Sequence, residues 1–471
     1  MLNLAYKLKK TDILSVIIMF ILLALLFAIK GIDHKPGEEK ICKTCVQDIG
    51  EMKRYGHYEQ MLLNGTQHIH HSGNPNILQF TKKNNLSPFG HQDKIQSCIE
   101  CHNEKPSSPA TALGELWVQF PKIDKKTGKL MDFENAVQRE FVDRYNGTKP
   151  FYNDVRITEI LVYAYEKARQ KKLTYQIEPE EGVALNQQEL KELNASAACL
   201  KLYNELGAPK KSKIAFFIVK GCNIFTETTK NRPKGFSFWK TNMNCTSCHL
   251  NAGSKEYAIS VADAIVNYPG VYSSNNIIYT NRMRIARCYA HSINEILYGS
   301  NSAYYKLLTL HEAWLAQKMK LYIGQQRESR GVHNIRGSSA RHASIMAGQK
   351  AYIKYCQACH GMAGFGTDLY DKYPNFNPPP LNGNEAFVHT ATMSYPSRFA
   401  SFIHNNMPIG ATHEKPILTK QEALDIAEFI RVQTRPSAPG TNNLTVFYNY
   451  LANQGMKIWF GHKSKKSENN Q

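Results

Sequence analysis

Asn244-Cys245-Thr246-Ser247-Cys248-His249-Leu250 decides how the rest of this chain is read. Two cysteines separated by two residues and followed at once by histidine are the attachment signal of c-type haem. The thiols form thioethers to the porphyrin vinyl groups and the adjacent imidazole swings under the iron. About forty residues further on, Arg287-Cys288-Tyr289 supplies another thiol. As a thiolate on the distal face of the iron, Cys288 would lower the potential and suit the haem to chemistry on sulfur. As a small buried hydrophobe, or paired with Cys222, it would be structural.

The same signal occurs twice more, at Cys98-Ile99-Glu100-Cys101-His102 and Cys356-Gln357-Ala358-Cys359-His360. The expected attachments are therefore Cys98, Cys101, Cys245, Cys248, Cys356 and Cys359, with His102, His249 and His360 as proximal ligands of three haems c. Three intact motifs in one chain make a zinc site or a disulfide the weaker reading at each. Eleven cysteines are present, so Cys42, Cys45, Cys199, Cys222 and Cys288 remain. Cys42-Lys-Thr-Cys45 is followed by Val46 and should not hold haem, whereas Cys199 and Cys222 suit a disulfide in an oxidising compartment.

At 471 residues the chain is too long for one core. The uncharged run Ile13 to Ile29, preceded by Lys7, Lys9 and Lys10, reads as an uncleaved membrane helix with a cytoplasmic N-terminus. That places the bulk of the chain in the periplasm or extracytoplasmic space of an inner (cytoplasmic) membrane, as a single-pass protein. A net charge of +19 points to an anionic partner, whether a small anion, an acidic redox protein or a membrane surface, and the placement outside the cytoplasm argues against nucleic acid. The expected order is a cytoplasmic stretch (1–12), the anchor (13–30), a linker (31–54) and a first haem domain (55–170). A helical connector (171–206), a second haem domain (207–330), a third (339–436) and a tail (437–471) follow. The fold class is mainly α, with three tandem cytochrome c domains. Thr419-Lys-Gln-Glu422 forms a capping box ahead of an amphipathic helix that closes the third.

The first two domains repeat one another. Phe120-Pro121 matches Tyr268-Pro269 and Tyr145-Asn146 matches Ile293-Asn294, both at an offset of 148 residues. In that register Cys288 falls opposite Glu140, so the thiol belongs to the second copy alone.

Distal ligands are read from context. Met407 lies 47 residues beyond His360 in Asn405-Asn406-Met407-Pro408, a loop stiffened by proline, and would give a His/Met haem of raised potential. Met393 is the rival. For the first haem, His57, His68, His70, His71, His91 and Glu140 are all open, most of the histidines being expected in solvent-facing loops. Around Cys288 the chain is basic, and helical spacing would put Arg284, Arg287, Cys288, His291 and Ser292 on neighbouring faces, where they could hold a small dianion. Surface arginines bonding to haem propionates are the alternative.

The segments NCTSCHLNAG (244–253), NYPGVY (267–272), RIARCYAHSIN (284–294) and FIHNNMPIG (402–410) together resemble the dihaem thiosulfate dehydrogenase family, with kinship to the haem-binding component of the Sox sulfur-oxidation system. The resemblance covers about half the chain. It implies coupling of two thiosulfates to tetrathionate, or the reverse, at a His249/Cys288 haem. Cys288 would be a distal thiolate that could also carry sulfur covalently, and Arg284 and Ser292 would contact the inorganic sulfur anion. It also supports Met407 on an electron-exit haem that serves a periplasmic or membrane redox partner. The other readings are a non-catalytic electron-transfer cytochrome and a Sox-like enzyme that conjugates thiosulfate to a carrier thiol.

Overall fold

The computed structural model describes residues 57–70, 98–102, 111–143, 149–150, 152, 154–231, 241–272, 277–294, 303–335, 341–367 and 378–437. The expected anchor and linker, Cys42, Cys45, His71, His91 and residues 438–471 lie outside the described residues. Among those described, no helix is long and apolar enough to cross a membrane.

The elements run α1 (His57–His70), α2 (Cys98–His102), α3 (Leu113–Trp117), a hairpin of β1 (Lys122–Ile123) and β2 (Leu130–Met131), α4 (Phe133–Asp143) and α5 (Val155–Gln170). Next come α6 (Gln187–Glu192), α7 (Ala197–Leu206), α8 (Lys213–Thr226), α9 (Val261–Ile265), a hairpin of β3 (Gly270–Tyr272) and β4 (Ile277–Tyr279), α10 (Asn281–Ser292) and α11 (Ala303–Lys318). Last are α12 (Ile345–Tyr355), α13 (Gln357–His360), α14 (Pro396–Asn406) and α15 (Lys420–Arg431). The chain is mainly helical, as the sequence predicts. The capping box is present in both directions, Thr419 with the Glu422 amide and Glu422 with the Thr419 amide.

One close helix crossing recurs three times. At Gly65 of α1 a Cβ would collide with the Glu159 carbonyl of α5 and lie 3.3 Å from the Tyr163 Cβ. Gly221 of α8 meets the Leu307 carbonyl of α11 and, at 3.3 Å, the His311 Cβ; Gly348 of α12 meets the Asp425 carbonyl of α15 and, at 2.9 Å, the Phe429 Cβ. In each case the two partners are four residues apart, one turn of one helix face. Backbone approach this close is open only to glycine.

The repeat holds from α3 to α5 over the described residues. Helices α3 and α9 correspond at an offset of 148, as do α5 and α11 at both ends. The hairpins share their register, Lys122 opposite Met131 and Gly270 opposite Tyr279. Phe120-Pro121 and Tyr268-Pro269 are both cis. The copies also meet through equivalent residues: Thr174 bridges Tyr322, and Glu134 pairs with Arg282, each pair at that same offset. Contact between equivalent positions is the mark of an isologous, two-fold interface.

Two expectations are refined. Residues 171–206 are no free connector, since Leu190, Cys199 and Leu202 are buried in the common core and Cys199 forms a disulfide with Cys222. That bond excludes a Cys222–Cys288 pair. His68, left open as a distal ligand of the first haem, is buried on α1 with its Nε2 2.8 Å from the Glu159 carboxylate.

Candidate functional site

All three motif histidines are oriented in one way. His102 Nδ1 lies 2.7 Å from the Thr111 carbonyl oxygen, His249 Nδ1 2.5 Å from that of Ile259, and His360 Nδ1 2.8 Å from that of Pro379. A carbonyl only accepts, so each Nδ1 carries the proton and donates, leaving the Nε2 lone pair for a metal. A bond of this kind fixes the ring of a ligating imidazole and raises its basicity. Short turns hold the motifs, with the His249 amide bonded to the Cys245 carbonyl at 3.0 Å and the His360 amide to that of Cys356 at 2.9 Å. The carbonyl acceptors lie 9, 10 and 19 residues downstream, and the motif sequence carries no signal for them.

The second site opens on a cavity of about 1180 Å³, roomy enough for a porphyrin and a small anion together. Cys245, Cys248 and His249 line it, and so do Arg284, Cys288 and Ser292. These last three lie four residues apart on α10, so one helical face presents a guanidinium, a thiol and a hydroxyl to the same space. Thr280 caps that helix, accepting from the Met283 amide at 3.2 Å. Arg287 and His291, grouped with them by sequence, are not among the lining residues; His291 Nδ1 instead lies 3.3 Å from the Thr390 hydroxyl. Arg282 is turned away altogether. It is buried between Asp132 and Glu134 of the first copy, 3.5 Å from the latter, with its guanidinium 4.2 Å from the centre of the Tyr152 ring.

Sequence reasoning missed the rest of the wall. Arg330, Phe387, Thr392 and Arg398 reach the cavity from segments far along the chain, and Tyr165 and Arg169 reach it from α5 of the first copy. Met393, the rival ligand for the third haem, lines this second cavity. Met407 caps the C-terminus of α14 and is partly buried against the core. Glu312 of α11 is buried in the cavity wall and accepts from Asn281 Nδ2 at 2.6 Å. Burial pushes its carboxyl up to about 8; the Asn281 hydrogen bond opposes the rise and the nearby Cys288 adds to it. Burial likewise holds His249 below its ordinary range, with the charge of Arg284 adding to the effect and the Ile259 hydrogen bond opposing it. The imidazole is thus neutral, as a ligand must be.

The segment that leaves the motif is strained. Tyr257 and Ile259, neither of them glycine, adopt φ of 55° and 57°. Left-handed backbone at such residues costs about 1–3 kcal/mol each and persists only where the surroundings over-determine it.

Residues 343–430 match the family model described as subunit III of cbb3-type cytochrome c oxidase. The chain is 30% identical over 217 residues to the thiosulfate dehydrogenase of Psychrobacter arcticus, a match covering 46% of this chain and 63% of that protein. It is 26% identical over 246 residues to that of Stutzerimonas stutzeri, covering 51% of this chain and 76% of that protein. Among solved structures, the thiosulfate dehydrogenase TsdBA from Marichromatium purpuratum aligns at 19% identity and a TM-score of 0.43, over 74% of this chain and 68% of that one. The chain thus spans just under two thirds of the length of the first of these relatives.

Proposed function

We propose that this chain, a c-type cytochrome related to the thiosulfate dehydrogenases, is a trihaem extracytoplasmic enzyme. It would be held to the membrane by Ile13 to Ile29 and would oxidise thiosulfate to tetrathionate. The observation that carries the reading is the shared cavity: Arg284, Cys288 and Ser292 face the space that the haem motif of His249 enters. In the overall reaction a sulfur–sulfur bond forms between two thiosulfate dianions, no bond breaks, and two electrons leave. His249 and Cys288 would hold the haem, which would accept the two electrons one at a time and pass each on.

The residues divide the remaining work. The Arg284 guanidinium binds the dianion's sulfonate oxygens and the Ser292 hydroxyl donates to them, both aligned with Cys288 by the helix that carries all three. Glu312 keeps its proton at neutral pH, so the cavity gains no fixed negative charge there to repel an anion. Phe387 and Met393 give the wall an apolar stretch that excludes water. Electrons would pass to a haem held by His360 and Met407, and His102 would hold the haem of the first domain. The three regions then act as domain 1 (55–170), domain 2 (207–330) and domain 3 (339–436).

The test is anaerobic addition of thiosulfate to the haem-loaded protein, following haem reduction optically and tetrathionate chemically. Reduction with tetrathionate formed is expected, and both should vanish in Cys288→Ala. Haems that cycle with chemical mediators but respond to neither thiosulfate nor tetrathionate would identify a relay cytochrome instead.

A further inference from the structure

The strained turn that orients His249 is held from outside its own domain. Along residues 257–259, the Tyr257 amide donates to the Ser329 carbonyl at 2.7 Å and the Ile259 amide to the Gly331 carbonyl at 3.1 Å. These two bonds fix one edge of the turn. The other edge is gripped by the third region: Asn406 Nδ2 donates to the Tyr257 carbonyl at 2.9 Å, and the His413 ring stacks on the Tyr257 ring with centroids 3.7 Å apart. Asn406 is 2% exposed, and its Nδ2 also donates to the Phe402 carbonyl at 3.0 Å. Both partners are carbonyls, which fixes the nitrogen end of the amide.

We propose that Asn406 is a positioning residue for the proximal histidine of the second haem, acting through Tyr257 and the Ile259 carbonyl. Two left-handed non-glycine residues relax toward ordinary backbone angles unless each end is tied. The Ile259 carbonyl that receives the His249 proton belongs to the second of them. Untying Tyr257 lets that carbonyl swing, weakens the bond from His249 Nδ1, and makes the imidazole a poorer donor to iron. Ferric iron, the form that gains most from a basic ligand, is then less favoured, so the potential of that haem rises. The histidine of one haem site is thus oriented by a residue of the segment that precedes Met407. The catalytic site is incomplete without the third domain. This assignment rests on His249 as an iron ligand and is independent of which anion the cavity takes.

Asn406→Leu in the full haem-loaded chain tests it, with redox titration and low-temperature electron paramagnetic resonance resolving the individual haems. The expected result is a positive shift in the midpoint potential of the second haem and an altered low-spin signal from it, with the first haem unmoved. A change confined to the third haem, or a lower melting temperature with the second haem untouched, would overturn the proposal, since Asn406 would then serve Met407 or the fold alone. His413→Leu, which frees the Tyr257 ring without touching the Met407 loop's buried amide, should shift the second haem in the same direction by less. If Asn406→Leu does not accumulate, this variant decides, and an unmoved second haem in it overturns the proposal. A wild-type protein inert to thiosulfate would end the functional reading while leaving these measurements as they stand.

Discussion

Over their described residues, 113–176 and 261–324 follow one backbone plan with few side chains in common, and the differences that bear on the candidate site fall on α4 against α10 and on α5 against α11. The limits of α3 match those of α9 and the limits of α5 those of α11, the hairpins share their register, and the same hydrogen bond follows α5 and α11, Gln176 amide to Val118 carbonyl in one copy and Gly324 amide to Val266 carbonyl in the other. Yet Ala136 in the first copy stands where the second has Arg284, Glu140 where it has Cys288, and Ala164 where it has Glu312. The shared plan thus persists across wide side-chain variation, and the residues proposed for the reaction occur in the second copy alone. The copies also diverged toward each other: one position carries Glu134 in the first and Arg282 in the second, and these two now pair.

Swapping residues between the copies breaks the comparison most sharply at the thiol. Cys288→Glu, which writes the first copy's residue into the second, should abolish thiosulfate-dependent haem reduction and replace the low-spin signal of the second haem. The attached haem should remain. Glu140→Cys should not create a second active site, because Ala136 provides no cation beside it. Thiosulfate turnover of the two variants, measured side by side, checks both halves.

The seam between the copies should show the next largest effect. Arg282 is buried against Asp132 and Glu134, so Arg282→Met removes the guanidinium from a buried ion pair and should destabilise the fold by about 3–5 kcal/mol. Adding Asp132→Asn and Glu134→Gln should recover most of that loss, because no buried charge is then left alone. Chemical denaturation of the single and triple variants reads it. The glycine crossings, common to all three regions, should come next. Gly221→Ala drives a methyl into the Leu307 carbonyl and should cost about 1–3 kcal/mol or more by overpacking, visible as a lowered denaturation midpoint and poorer haem incorporation.

Local signals in the sequence carried a good part of this architecture. The three haem motifs are contiguous, the repeat shows in Pro121 and Pro269, and the capping box is spelled out in four residues. Basic spacing on α10 was legible too, but helical periodicity alone could not say which arginines turn toward the cavity. Arg284 does, whereas Arg282 turns to the first copy, because its partners Asp132 and Glu134 lie 150 and 148 residues away. A comparable distance in sequence hid Arg398 and the hold of Asn406 on Tyr257. The carbonyl partners of the three histidines lie only 9, 10 and 19 residues on and were hidden because a backbone carbonyl carries no residue-type signal. Glu312 was hidden for a different reason. A glutamate in Leu310-His311-Glu312-Ala313-Trp314 reads as the polar face of an amphipathic helix, yet α11 is buried along most of its length.

That glutamate gives the smallest effect and the most specific one. In the unfolded chain Glu312 loses its proton near the ordinary value of 4.5, whereas in the folded protein burial holds the proton until about pH 8. Between those values the native state binds more protons than the unfolded state, so the contribution of Glu312 to stability falls as pH rises. The slope is at most about 1.4 kcal/mol per pH unit, and it levels off above pH 8, where both states are ionised. Glu312→Ala, the residue of the first copy, should flatten the dependence of the denaturation midpoint on pH across that window. The mirror change, Ala164→Glu, should introduce such a slope through the first copy, because Ala164 is just as deeply buried on α5. If Glu312→Ala leaves the slope intact, the folded carboxyl is ionised at neutral pH. The cavity would then hold a fixed negative charge beside Cys288, and Arg284 would have to offset it before any anion could bind.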